Sequence, residues 1–367
     1  ITPKVLGLSG SKVYDGGSVV LASELPTISG LIGSETVVTG NQTTTSTSLS
    51  TGARKNVANN VAVQSNASGI TVSNGSNGGL ASNYTLTSGT HQVNITKAPV
   101  SVALSRQYDG STNASSNATD SNTSETFSGL VGSETLTLSG QGSVPSKNYS
   151  ASTQAVTLGS LAIGDQSGAS ASSGGLASNY NFTSATLAIN KKVLNSNSSR
   201  VYNATTTVAA SDISFTNQIS GETLVKGNTA ATSSANAGTY SISNLSGITI
   251  SDEVGASASS GALASNYTLT GGTHSFTINR KSVNIAGSRQ YDGSTNIVAS
   301  DITGITDTVN SETLTMAGGF GTASSANVGS YNLTDTSAGS LTLGNGVGGS
   351  AGLAANYTLT GGSQTYS

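Results

Sequence analysis

Cysteine is absent from this 367-residue chain, so no disulfide framework, thiolate metal site or cysteine nucleophile can form, and any fold must hold by packing alone. Tryptophan is absent as well and phenylalanine occurs five times, which leaves few of the broad aromatic surfaces on which sugar rings usually rest. Charge is scarce. Asp, Glu, Lys and Arg make up 8% of the residues, against roughly 25% in an ordinary soluble domain. The net charge is only -3 and the cations are scattered, so the basic face that a nucleic-acid partner requires is missing. No signal peptide, lipid-anchor motif or apolar run long enough to span a bilayer is visible, so neither a membrane span nor nucleic acid is expected among the partners.

Helical periodicity is also lacking: no stretch of about 11 residues keeps an apolar face at i, i+3, i+4 and i+7. What the chain has instead is abundant Gly, Ser, Thr and Asn, a composition that by itself would permit disorder. Short segments argue against that reading. "GITVS" at Gly69, "TLTLS" at Thr135, "GITIS" at Gly247, "HSFTIN" at His274 and "SLTLG" at Ser340 alternate apolar and polar residues with period two, the signature of half-buried strands. Gly, Asn and Asp gather between them, where turns need positive φ.

The chain also repeats itself. "SRQYDGSTN" occurs at Ser105 and again at Ser288, with looser copies "SKVYDGGSV" at Ser11 and "SRVYNATTT" at Ser199. Tyr14, Tyr108, Tyr202 and Tyr291 thus open successive units, and a second series, Tyr84, Tyr180, Tyr267 and Tyr357, sits in "LASNYTL" or a close relative. Such a period indicates tandem modules, and the boundaries read as 1–97, 98–191, 192–280 and 281–367, the third with a degenerate motif. Modules run together without a Gly-Ser spacer, as in "HQVNITKAPVSVALS", so stiff coupling between neighbours is expected. "ITPKVL" at Ile1 matches the internal junctions "ITKAPV", "INKKVL" and "INRKSV", and the chain is expected to be an excerpt of a longer protein. The fold expected is all-β, a tandem array of four β-sandwich-like modules, with β-grasp-like modules as the alternative; the missing helix favours the sandwich.

Each motif has a structural reading. In Tyr14-Asp15-Gly16, Tyr108-Asp109-Gly110 and Tyr291-Asp292-Gly293 the tyrosine ends a strand and the Asp-Gly pair makes a tight turn. A calcium loop built on the three aspartates would need six to eight oxygen ligands, and the third copy substitutes Asn203 and Ala204. Tyr84, Tyr180, Tyr267 and Tyr357 resemble a tyrosine corner, in which a buried ring sends its hydroxyl to a backbone partner and pins a loop. Glu35, Glu134, Glu222 and Glu312 recur once per module and suit a hairpin role or an ion pair with a nearby Lys or Arg. No second acid recurs with them, which argues against a paired-carboxylate hydrolase. His91 and His274 occupy equivalent places without evident catalytic partners. Lys4, Lys97 and Lys191 open modules that contain Asn83, Asn179 and Asn266, a set that could form Lys–Asn isopeptide bonds; Arg280 breaks the series, and no such bonds are expected.

Taken in order, "ITPKVLGLSGSKVYDGGSV", "ISGLIGSETVVTG", "LASNYTL" and "HQVNITK", with "FSGLVGSETLTLSG" and "ITDTVNSETLTMAG" further on, resemble the YDG module found in tandem in large bacterial surface adhesins similar to filamentous haemagglutinin and exported by two-partner secretion. The resemblance implies a non-enzymatic, cofactor-free stalk or filament of a secreted adhesin, at the bacterial cell surface or in a secreted matrix, serving adhesion or biofilm formation. Its expected partners are neighbouring repeats of the same parent chain, with polysaccharide or host surface engaged through other regions. The alternatives are repeats that bind glycan or host receptor themselves, or a matrix filament formed by self-association.

Overall fold

The computed structural model describes residues 1–42, 47–50, 56–116, 123–170, 173–333 and 338–367. Among them the chain is all-β, as its alternation predicts; the helical elements are single 3-10 turns of three residues, such as Ala81–Asn83 and Ala177–Asn179. The chain divides into two compact units, Ile1–Asn190 and Lys191–Ser367.

In unit one, Gly7–Val13 lies parallel to His91–Thr96 with Leu8 opposite His91. Thr27–Ser29 runs antiparallel beside the former and Ala58–Ala62 beside the latter. The spatial order is therefore second, first, last, third, a mixed sheet whose centre is a parallel pair. A parallel pair cannot be closed by a hairpin; the intervening chain crosses over through two-stranded ribbons, Val19–Val20 with Thr47–Ser48 and Val37–Asn41 with Ile70–Asn74. The order is that of a β-grasp sheet, with ribbons in place of the helix. Sheet and ribbons share one core: Leu8, Val93 and Ile95 from the sheet pack with Val20, Val37 and Ile70 from the ribbons. The period-two pattern decides which residues these are, since His91, Val93 and Ile95 are buried while the alternate positions are not. Each buried Val, Leu or Ile contributes roughly 1.5–3 kcal/mol.

The same pairing recurs in residues 98–191, where Ala98–Gln107 pairs in parallel with Tyr180–Asn190, flanked by Ser124–Ser128 and Gln154–Ala155. A single residue, Lys97, separates Ala98–Gln107 from the strand His91–Thr96 before it.

In unit two, Ser196–Val201 pairs in parallel with His274–Asn279, which Gly238–Ser241 flanks antiparallel. Asn284–Gly287 pairs in parallel with Gln364–Tyr366, between Ile302–Thr306 and Tyr331–Leu333. Again one residue, Arg280, stands between His274–Asn279 and the next strand, Lys281–Ser282.

Candidate functional site: the tyrosine–glutamate junction

Tyr84, Tyr180 and Tyr267 of the "SNY" motif, and Tyr357 of "ANY", stand directly after a 3-10 turn, at the start of a strand that pairs in parallel with the module's opening residues, as Tyr84 does with Lys4. Their rings are buried. Each hydroxyl accepts from a backbone N–H of a loop far back in sequence: Ile32 N to Tyr84 at 3.2 Å, Val131 N to Tyr180 at 3.0 Å, Ile219 N to Tyr267 at 3.4 Å and Val309 N to Tyr357 at 3.0 Å. Each also donates to the recurring carboxylate of its own module: Tyr84 to Glu35, Tyr180 to Glu134 at 2.7 Å, Tyr267 to Glu222, and Tyr357 to Glu312 at 2.7 Å. The recurring Glu therefore anchors a tyrosine hydroxyl, a role its spacing in the sequence does not suggest.

The second oxygen of that carboxylate receives a tyrosine from the preceding module. Tyr14 donates to Glu134 Oε1 at 2.5 Å and Tyr202 donates to Glu312 Oε1 at 2.9 Å. The paired rings meet edge to face, Tyr14 on Tyr180 with centroids 5.6 Å apart and Tyr202 on Tyr357 at 5.4 Å, an arrangement favoured by the ring quadrupoles. Burial, reinforced by the Glu134 carboxylate, pushes the Tyr180 phenol up to about 12. Burial, with Glu312 beside it, does the same for Tyr202, also to about 12. Tyr14 and Tyr357 are raised for the same two reasons, burial first. Both cases follow from the cost of placing a phenolate in an apolar site next to a carboxylate.

Asparagine completes the junction. Asn179 accepts from Val57 N at 2.9 Å and donates to Asn56 Oδ1 at 3.0 Å. In unit two Asn356 accepts from Ala237 N at 2.7 Å and donates to Asn236 Oδ1 at 3.0 Å. Asn179 is one of the asparagines weighed for isopeptide chemistry; here its amide, like that of Asn356, ties one module to the next.

The Asp of Tyr-Asp-Gly serves the turn itself. Asp15 accepts from Gly17 N at 2.9 Å, Asp109 from Ser111 N at 2.8 Å and Asp292 from Ser294 N at 2.9 Å. Asn203 does the same toward Thr205 N at 3.2 Å, so the third module keeps the turn without a carboxylate. The turn glycine has φ of +69° at Gly16, +79° at Gly110 and +77° at Gly293, and Ala204 adopts +60° in their place. At Gly16 the constraint is double, because a Cβ there would stand 3.1 Å from Val131 of the next module. Tyr108 is fully buried, with its N–H on Asn190 O at 2.8 Å, whereas Tyr291 is 67% exposed.

Four residues that the motif reading passes over hold this turn. Lys12 lies 3.0 Å from Asp15 and donates to Val19 O at 2.6 Å. Arg106 pairs with Asp109 and donates to Ser111 O at 2.7 Å, Arg200 donates to Asn203 and to Thr205 O at 2.5 Å, and Arg289 lies 3.2 Å from Asp292. The signal is in the sequence: a cation two positions before each of Tyr14, Tyr108, Tyr202 and Tyr291. The histidines are likewise structural. His91 Nε2 donates to Leu86 O at 2.8 Å while Nδ1 accepts from Leu8 N at 3.2 Å; His274 Nε2 donates to Leu269 O at 3.0 Å. Gln364 donates to Leu359 O at 2.6 Å, which explains why glutamine can stand there. In the second module Tyr180–Asn190 is one unbroken strand with no loop to clip.

These repeating elements are those of a known domain. The YDG domain profile matches residues 90–188 and again 187–275, together just over half the chain. The chain belongs to the YDG domain family. Both YDG matches open close to a module's last sheet strand, His91–Thr96 for the first and Tyr180–Asn190 for the second, and so each spans a junction between modules. No curated protein is similar to the chain, and no helix among the described residues is long and apolar enough to cross a membrane.

Proposed function

We propose that these YDG modules form a structural stalk or filament region of a secreted bacterial adhesin, projecting or linking a binding region at the cell surface or in a secreted matrix. The observation that carries this reading is the shared carboxylate at the junction: Glu134 holds Tyr14 of one module and Tyr180 of the next, and Glu312 repeats the arrangement with Tyr202 and Tyr357. Inside each unit, a one-residue connection, an edge-to-face ring pair and a buried asparagine bridge leave the two modules little freedom to swivel, which is what a spacer needs. The adhesin setting and the extracellular location come from the sequence resemblance. Both nitrogens of His91 hold backbone groups, and His274 holds the Leu269 carbonyl through Nε2 and the buried Ser196 hydroxyl through Nδ1 at 3.1 Å.

Excising residues 192–280 from the secreted parent protein tests the proposal. A spacer loses one module length in electron micrographs while ligand binding persists; loss of binding with the other modules still folded would place recognition in the repeats and end the stalk reading.

A further inference from the structure

Each of the first three modules takes the chain in and lets it out through one pair of strands. Lys4 stands opposite Tyr84 and Val13 opposite Thr96; Ala98 stands opposite Tyr180 and Gln107 opposite Asn190; Lys192 stands opposite Tyr267 and Val201 opposite Asn279. The pairing is parallel, so the entry residue lies at one end of the pair and the exit residue at the other. In the second module this sets Ala98 and Asn190 about 30 Å apart along the strands.

Hydrogen bonds tie the two strands from one end to the other. Leu6 N–H donates to Thr85 O at 2.9 Å, Leu8 N–H to His91 Nδ1 at 3.2 Å and Tyr14 N–H to Thr96 O at 2.8 Å. In the third module Leu194, Ser196 and Tyr202 N–H donate to Thr268, Thr273 and Asn279 O at 2.9, 3.0 and 2.8 Å, and in the second Tyr108 N–H donates to Asn190 O at 2.8 Å. The motif tyrosine is thus the last rung, after which the turn carries the chain away from the pair. In modules one and two a further strand covers each edge of the pair. Leu8, Val93 and Ile95 in the one, and Val102, Leu104 and Leu187 in the other, are buried along it, so water competes poorly for the rungs.

We propose that each such module is a tension-resisting clamp. Tension applied at its entry and exit draws the first and last strands past each other along their length, so the rungs share the force and must fail together. A hairpin ribbon pulled at its open end loses its rungs one at a time. The crossover ribbons lie between the clamp strands in sequence, as Val37–Asn41 and Ile70–Asn74 do between Gly7–Val13 and His91–Thr96, and feel no tension until the clamp fails. The clamp follows from the strand pairing; that tension is what it meets in use rests on the stalk reading.

Single-molecule force spectroscopy tests this. The chain has no cysteine, so two introduced at exposed positions fix the direction of pull. Pro99→Cys with Asn190→Cys stresses the second module's pair in shear, whereas Pro99→Cys with Asn181→Cys, at positions directly opposite each other, unzips it. Circular dichroism checks that both variants keep the fold. At equal loading rate the shear pair is expected to rupture at about twofold higher force or more. The full chain held by its two ends is expected to lengthen in steps of about 300 Å, the extended length of about 90 residues, with no smaller steps before them. Equal forces in the two directions, or ribbons that peel away before the sheet yields, would overturn the clamp. Both measurements concern the purified chain alone, so the excision experiment judges the stalk reading separately.

Discussion

The hydroxyl of Tyr14 and Glu134 Oε1, 120 positions apart in sequence, meet at 2.5 Å in a site that also buries the ring of Tyr180. This contact joins two repeats through a carboxylate already committed to one of them. Glu134→Ala deprives two buried hydroxyls of their acceptor and is expected to cost unit one about 2–4 kcal/mol, and Tyr14→Phe about 1–2 kcal/mol. Glu35→Ala, which releases one tyrosine, should cost less. Urea melts of the single and double variants measure the coupling; additive effects of Tyr14→Phe and Glu134→Ala would mean that the bond adds nothing to stability.

The junction should also set the alkaline limit of the fold. Tyr180 and Tyr202 sit at about 12 against an ordinary 10.0, so the folded state holds these protons more tightly than the unfolded state does. Their contribution is complete below the unfolded value and is lost as pH rises through the folded one. Base-induced unfolding is therefore expected between about pH 10 and pH 12, with phenolate absorbance of these tyrosines developing together with loss of the β circular dichroism signal. Full phenolate development near pH 10 with the fold intact would contradict the assignment.

Arg106 is a buried cation, 6% exposed, that serves the Asp109 carboxylate and the carbonyls of Gln107 and Ser111. Arg106→Ala strands those acceptors and is expected to destabilise by about 2–4 kcal/mol. Arg106→Lys should cost distinctly less, because Lys12 holds the equivalent turn of the first module. Thermal denaturation of the two variants separates the cases.

Ala204 holds the left-handed conformation that glycine supplies in the other three copies. A Cβ in that region costs about 1–2 kcal/mol, part of which glycine returns through its freer unfolded chain. Ala204→Gly is thus expected to stabilise by about 0.5–1 kcal/mol, measured as a rise in melting temperature. A fall would show that the methyl group's packing against the unit-two core outweighs the backbone strain.

Much of this was legible in residue order. Period-two alternation marked His274–Asn279 as a strand with one buried face, and Asp109-Gly110 marked a turn, because both are local consequences of backbone geometry. The repeat and the YDG resemblance likewise needed only the order of motifs. The role of Glu134 could not be read that way: its partners lie 46 and 120 positions away, and a lone recurring acid looks the same whether it meets a lysine or two phenols. The cations before each tyrosine were visible, but their purpose depends on how the turn carbonyls curl back.

By itself the sequence determined the all-β character, the repeat and the turns, since propensity, alternation and glycine chemistry act over a few residues. Tertiary structure alone decided that each module's first and last sheet strands lie side by side in parallel, giving a mixed sheet with β-grasp order where antiparallel sandwich sheets were the leading expectation. It also decided which neighbour fills each carboxylate. Those outcomes depend on where a crossover of some 80 residues returns, as from Leu8 to His91, and on burying polar groups only where partners from another repeat can meet them.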